Sequence, residues 1–186
     1  MEKYSYTHGW FLNSEIRHNL MKFVNPFEKH TILEIGSYEG LSSCFLIDNF
    51  LHHSNSTLTC VDPFDLADST TPLTSSTKST FLLNLSRSKY PEKVSFENTY
   101  SNDFFKRNET FFDIIYIDGS HLPVDILFDM NNADKYLLQG GIMWMDDYLG
   151  GSDTTIKDTM DIFLNENKDR YTVIHSGYQL GLRKLI

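Results

Sequence analysis

Phe111-Phe112-Asp113-Ile114-Ile115-Tyr116-Ile117-Asp118-Gly119-Ser120-His121 begins as a compact apolar run and breaks into four polar or flexible residues. The run is β-branched and aromatic and has no helical period, so it reads as a strand buried on both faces. A strand of that kind belongs to a parallel sheet under helices. Ligands of open α/β sheets bind outside the carboxyl ends of the strands. Asp118 and His121 therefore fall where such a fold does its chemistry.

Similar units lie on either side. Thr31–Ile35 reads as a strand leading through Gly36 and Gly40 into a helix from Leu41 to about Leu51. Leu58–Asp62 is a second strand, and Val94–Asn98 a third, followed by a short helix around Asp103–Arg107. Ile126, Leu127, Met130, Ala133 and Leu137 form a helical stripe over Val124–Leu138, with Gly140-Gly141 expected to end the helix. Ile142–Met145 is a fifth strand closing in Asp146-Asp147, and a helix over about Thr155–Asn165 follows. Tyr171–His175 and Gln179–Lys184 then form a hairpin through Ser176-Gly177. Alternating strands and helices predict one α/β domain over residues 1–186, with a mostly parallel sheet, helices on both faces and a terminal antiparallel hairpin.

Two segments stand apart. Residues 1–29 carry Tyr4, Tyr6, Trp10 and Phe11, then a helical spacing at Ile16, Leu20, Phe23 and Val24, with Asn13 or Ser14 as cap. This N-terminal helical flap either packs on the sheet edge or brings His8, Trp10 and Phe11 to wall a substrate site. Residues 65–80 hold nine Ser or Thr among sixteen, a composition that predicts a lid loop running into a helix.

Composition limits the partners. The chain of 186 residues has a formal charge of −9 and a pI near 5.1, against the basic footprint of a nucleic-acid-binding surface. No window approaches a membrane span, and no signal peptide opens the sequence. Cys44 and Cys60 suggest neither a disulfide framework nor a zinc site. The expected setting is soluble and cytoplasmic. Oligomeric state is left open, a homo-oligomer included.

Three constellations carry chemistry. Glu34-Ile35-Gly36-Ser37-Tyr38-Glu39-Gly40 lies at a strand-to-helix junction where glycines admit a ligand to the backbone. Its spacing is not that of a pyrophosphate loop, which disfavours a nicotinamide oxidoreductase, and its carboxylate suits a cationic ligand. Asp62 ends the next strand, where an acid can accept ribose hydroxyls, or serve only as an Asp-Pro terminator. Asp118, Asp146 and Asp147 end two neighbouring strands. Either they cap turns, or a hard divalent cation, Mg²⁺ with Mn²⁺ or Ca²⁺ as alternatives, relieves their repulsion.

Together these residues resemble class I S-adenosylmethionine-dependent methyltransferases, and among them the metal-dependent small-molecule O-methyltransferases of the catechol and macrolide or antibiotic sugar type. Glu-Ile-Gly-Ser-Tyr-Glu-Gly is similar to their first motif, Ile-Asp-Gly-Ser-His to their fourth-strand motif, and Leu137–Gly141 with Asp146-Asp147 to their fifth-strand entry. The resemblance implies a Rossmann-like, doubly wound seven-stranded sheet. It places Gly36, Ser37, Tyr38 and Gly40 at the methionine end of the cofactor, Glu34 beneath it, Asp62 on the ribose and Ser101 by the adenine. Asp118, Asp146 and Asp147 become metal ligands, and His121 falls where catechol-type enzymes carry a catalytic lysine. Gln139 departs from the usual proline. The implied reaction methylates a hydroxyl of a small molecule or sugar. The alternatives are a metal-independent methyltransferase and a non-catalytic cofactor-binding module.

Overall fold

A computed structural model describes residues 3–65, 77–150 and 154–186. Most of the Ser/Thr-rich stretch assigned to a lid, and the turn before the sixth helix, lie outside the described residues. The remaining elements run β1 (Thr31–Ile35), α2 (Leu41–Phe50), β2 (Thr57–Val61), α3 (Thr77–Arg87), β3 (Val94–Glu97), α4 (Ser101–Arg107), β4 (Phe112–Ile117), α5 (Pro123–Tyr136), β5 (Leu137–Met145), α6 (Thr155–Glu166), β6 (Tyr171–Ser176) and β7 (Leu180–Lys184), after a short α1 (Ile16–Asn19).

The strands form one sheet in the order β3-β2-β1-β4-β5-β7-β6, parallel from β3 to β5 and antiparallel at β5–β7 and β7–β6. This is the expected doubly wound sheet with its antiparallel hairpin. Chain order reverses between β1 and β4, the position where such sheets open a crevice. Ile35 pairs with Ile117, Ile117 with Met145, and Met145 with Leu180. The strand ends are thus flush, and the ladder continues one residue further. Asp118 donates its N–H to Ile35 O at 2.8 Å, Asp146 to Ile117 O at 3.0 Å, Gly36 to Val61 O at 2.9 Å and Asp62 to Glu97 O at 3.1 Å. Asp118, Asp146 and Asp62 are each the first residue to leave the sheet, and Asp147 follows directly.

Alternation along the central strands fills a core on each face. Leu33, Ile35, Ile115, Ile117, Met143 and Met145 pack with α5 and α6 residues such as Met130 and Phe163. Ile32, Ile114, Tyr116, Ile142 and Trp144 pack with Leu46, Phe50, Phe81 and the N-terminal Ile16 and Leu20. Fully burying each such side chain stabilises the fold by roughly 1.5–3 kcal/mol. Gly181 lies against the Trp144 ring, where a Cβ would stand 2.7 Å from the indole. A side chain there would push β7 off the core.

Two boundaries differ from expectation. The fifth helix stops at Tyr136, and β5 already begins at Leu137, which pairs with Phe112. Gly140-Gly141 therefore lies inside the strand, at a register shift, with Gly140 at φ +80°. Pairing with β4 overrides the helical stripe that Leu137 extends in the sequence. The N-terminal helix shrinks to one α-turn between 3₁₀ turns at Trp10–Asn13 and Leu20–Lys22. Neither Asn13 nor Ser14 caps it; its start is held from outside, by Gln179.

Candidate active site

The glycine loop after β1 takes a conformation that only a partly left-handed backbone allows. Gly36 has φ +83°, and a Cβ there would fall 1.9 Å from the Asp118 carbonyl oxygen. Tyr38 also has a positive φ, +46°. Asp62 holds this loop. Its Oδ2 accepts the N–H groups of Ser37 and Tyr38, both at 2.8 Å, and its Oδ1 accepts Phe64 N–H at 2.6 Å. A carboxylate offers about four acceptor positions, so Asp62 keeps capacity for one more donor, such as a ribose hydroxyl. Sequence reasoning missed its part in shaping the loop.

Glu34 is fully buried. Its Oε2 accepts the hydroxyls of Ser37, at 2.8 Å, and Ser43, while Oε1 has no partner. Burial pushes its carboxyl above the ordinary range, against the pull of the surrounding serine hydroxyls. An orphaned buried carboxylate oxygen is costly. An unmatched buried acceptor beneath the loop fits a cofactor that carries cationic sulfonium and ammonium groups.

The acid rim lies across the crevice. Tyr116, two residues before Asp118 and on the same face as Glu34, sends its hydroxyl 3.0 Å from both Asp118 Oδ2 and Asp146 Oδ2. One phenol has one hydrogen to donate, so the second contact needs a shared proton or a cation. Burial, then the charges of Asp146 and Asp147, push Asp118 well above the usual carboxylate range. Asp146 is also raised by burial, against the Gln179 hydrogen bond. Asp147 is held below the range by hydrogen bonding from His121, whose Nε2 lies 3.0 Å from Asp147 Oδ2. Tyr178 donates to the other oxygen of Asp147, whose backbone has φ +59°, a left-handed conformation that aspartate tolerates better than most residues.

Asp118, His121 and Asp147 each offer a ligand atom within 4.8 Å of the others. Asp146 lines the same cavity beside this group: its Oδ1 accepts Gln179 Nε2–H at 2.8 Å and Asp147 N–H at 2.9 Å, and its Oδ2 lies at the Tyr116 hydroxyl. The acids and His121 line a cavity of about 20 Å³, floored by Ile126 and Met160. That is room for one ion or water. The carboxylate oxygens fit Mg²⁺ or Mn²⁺.

The N-terminal segment crosses the rim between these parts. Thr7 donates its N–H to Glu39 at 2.6 Å, and its hydroxyl lies 3.1 Å from Tyr38 Oη. Ser14 and Ile16 bind Gln179 at the other end. Between them Phe11 packs near Tyr116, and Trp10 stacks on His8 with centroids 4.3 Å apart while remaining 63% exposed. Ser101 opens α4, on the side of the buried Asp129 of α5, whose carboxyl it draws down against burial. Tyr148 turns instead to Asp161, at 2.8 Å.

A flush parallel rim with a glycine loop on one strand and acids on the next defines the Rossmann-like fold of class I methyltransferases. The family model for a methyltransferase domain matches residues 33–148. The chain belongs to that family. It is 30% identical over 136 residues to an uncharacterized protein of Acanthamoeba polyphaga mimivirus, across 70% of this chain and 58% of that one; it thus spans little more than half of that relative's length. Among solved structures, it is similar to the O-methyltransferase TomG of Streptomyces achromogenes, involved in tomaymycin synthesis and solved with S-adenosylmethionine (TM-score 0.67, 18% identity, 92% of this chain and 80% of that one). An O-methyltransferase of Bacillus cereus with S-adenosylhomocysteine gives a TM-score of 0.66 at 14% identity, with 92% and 82% covered. An rRNA methylase of Streptococcus thermophilus gives 0.66 at 11%, with 91% and 94% covered. At these identities the likeness establishes the fold, which hosts more than one kind of acceptor.

Proposed function

We propose that this chain is an S-adenosylmethionine-dependent O-methyltransferase that methylates a hydroxyl of a small molecule or sugar at a divalent-metal site. One observation carries the reading: on adjacent, flush strands, a glycine loop with an orphaned buried carboxylate faces a cluster of carboxylates and a histidine. Gly36, Ser37, Tyr38 and Gly40, with Glu34 below, would bind the methionine end of the cofactor, Asp62 the ribose and Ser101 the adenine side. Asp118, Asp146 and Asp147, with His121 at hand, would hold Mg²⁺ or Mn²⁺. The cofactor, when bound, supplies an electrophilic methyl group, and the metal lowers the pKa of a hydroxyl beside it.

The rest falls to the chain. Asp147, kept ionised by His121, can only accept a hydrogen bond, so His121 carries its hydrogen on Nε2. His121 would take the hydroxyl proton, and Asp147 would stabilise the imidazolium formed. The N-terminal segment excludes water on the α2 side and offers the exposed Trp10 ring to an acceptor. Holding the oxygen in line with the methyl carbon accounts for much of the acceleration. The net charge of −9 favours a small acceptor over RNA.

A metal-independent reading is favoured by the His121–Asp147 pair, which is a complete base without a cation, and by the hydrogen bonds that already occupy Asp146. Titrating methyl transfer with EDTA and then Mg²⁺ separates the two. Full activity of Asp118→Asn in excess chelator would remove the metal from the proposal. We further propose a reducing, cytoplasmic setting, in keeping with the two buried free thiols of Cys44 and Cys60.

A further inference from the structure

Gln179 sits in the β6–β7 turn, far in sequence from every motif, yet is fully buried at the acid rim. Its Oε1 accepts Ile16 N–H at 2.6 Å and Trp144 Nε1–H at 2.9 Å. Its Nε2 donates to Ser14 Oγ at 2.7 Å and to Asp146 Oδ1 at 2.8 Å. Two acceptor positions and two hydrogens are all that a primary amide has for such bonds. Its orientation is therefore dictated: turning the amide over would aim an NH₂ at two N–H donors. Asp146 Oδ1 is held by this amide, whose Nε2 also lies 3.5 Å from the Tyr116 hydroxyl, and Oδ2 stands beside that same hydroxyl, which also reaches Asp118.

We propose that Gln179 is a positioning residue with two linked tasks. It orients Asp146 as a ligand of the divalent cation, and it joins the N-terminal wall, through Ser14 and Ile16, to that ligand. The inference rests on the metal-dependent reading above. Its physical content is that one amide, braced by the Trp144 indole in the core, cannot shift its bond to Asp146 without disturbing Ile16 and Trp144. Ligation and placement of the acceptor wall would respond together. Groups that orient a metal ligand commonly change affinity by about 10–100-fold when removed.

The test uses the full chain and Mg²⁺ alone. The protein has two tryptophans, so its indole N–H resonances are assigned with Trp10→Phe. Binding of Mg²⁺, followed by calorimetry, is expected to move the Trp144 resonance along the same saturation curve. Gln179→Met is expected to weaken Mg²⁺ binding about tenfold or more and to expose the Ile16 amide to exchange. Bound Mg²⁺ with an unmoved Trp144 resonance overturns the proposal, and this readout needs no Gln179 variant to fold. So does a folded Gln179→Met that binds Mg²⁺ as tightly as wild type, the result expected of a merely structural glutamine. A flat wild-type isotherm overturns the metal reading itself and is recognised as such before any variant is made.

Discussion

Gly36 has no room for a side chain: a Cβ would press into the Asp118 carbonyl at 1.9 Å while φ stays at +83°. Gly36→Ala therefore combines a left-handed alanine with an overpacked contact at the crevice, and is expected to destabilise by about 3 kcal/mol or more, measured by urea unfolding. Asp129 gives a pH signature. Burial pushes it up to about 6, against hydrogen bonding from Ser101. Because its folded pKa lies above the ordinary 3.8, its contribution is fully present below that value and is lost as pH rises through about 6. Wild-type stability should thus fall over this interval by an increment that Asp129→Asn lacks, as urea midpoints at pH 4 and pH 7 would reveal. His121→Ala should lower kcat at neutral pH by about 10²-fold or more if it is the base. A turnover number near wild type removes it from that role.

The N-terminal segment is an element by attachment more than by helix. Its α-turn is four residues long, too short to stand on its own hydrogen bonds. It is held by Gln179, by the His175–Glu15 contact at 2.8 Å and by Ile16 and Leu20 in the core. Glu15 lies below its ordinary pKa; burial alone would raise it, and the His175 hydrogen bond and backbone donors outweigh that. A depressed carboxyl stabilises above its unfolded pKa and loses that contribution as pH falls through the folded one. The segment should therefore loosen below about pH 4. Glu15→Gln should loosen it at neutral pH, with faster exchange of the Ile16 amide and unchanged protection in β4. Equal loss of protection in β4 would show that the segment and sheet unfold together.

On the scale of the whole molecule, three carboxylates at one rim set stability against function. Burial and like charge raise Asp118, so the metal-free fold loses stability as pH rises through its folded pKa. Asp118→Asn keeps an acceptor for Tyr116 and removes one charge. The variant is expected to melt higher than metal-free wild type at pH 7 and to show no stabilisation by Mg²⁺. Wild type at 100 times its dissociation constant should gain about 2.7 kcal/mol. A thermal shift series in EDTA and in Mg²⁺ checks both halves, and a lower melting point for the variant in EDTA would contradict the account of repulsion.

The amino-acid order alone determined the layered sheet, because buried parallel strands must be apolar along their length and their ends are marked by the residues that leave the sheet. Asp118, Asp146, Gly36 and Asp62 were legible for that reason: each follows its own strand directly. Tyr116 carried a weaker signal, a polar-tipped aromatic two residues before Asp118 and so on one sheet face with Glu34. Gln179 carried none, since nothing local distinguishes a glutamine in a hairpin from one on the surface. The tertiary structure decided that β7 lies beside β5, that Leu137 leaves its helix to pair with Phe112, and that residues 7–16 cross the crevice. It also decided which oxygens of the acids are already bound. Pairing partners and side-chain hydrogen bonds are chosen by long-range packing and by buried polar groups in need of partners, and neither leaves a period in the sequence.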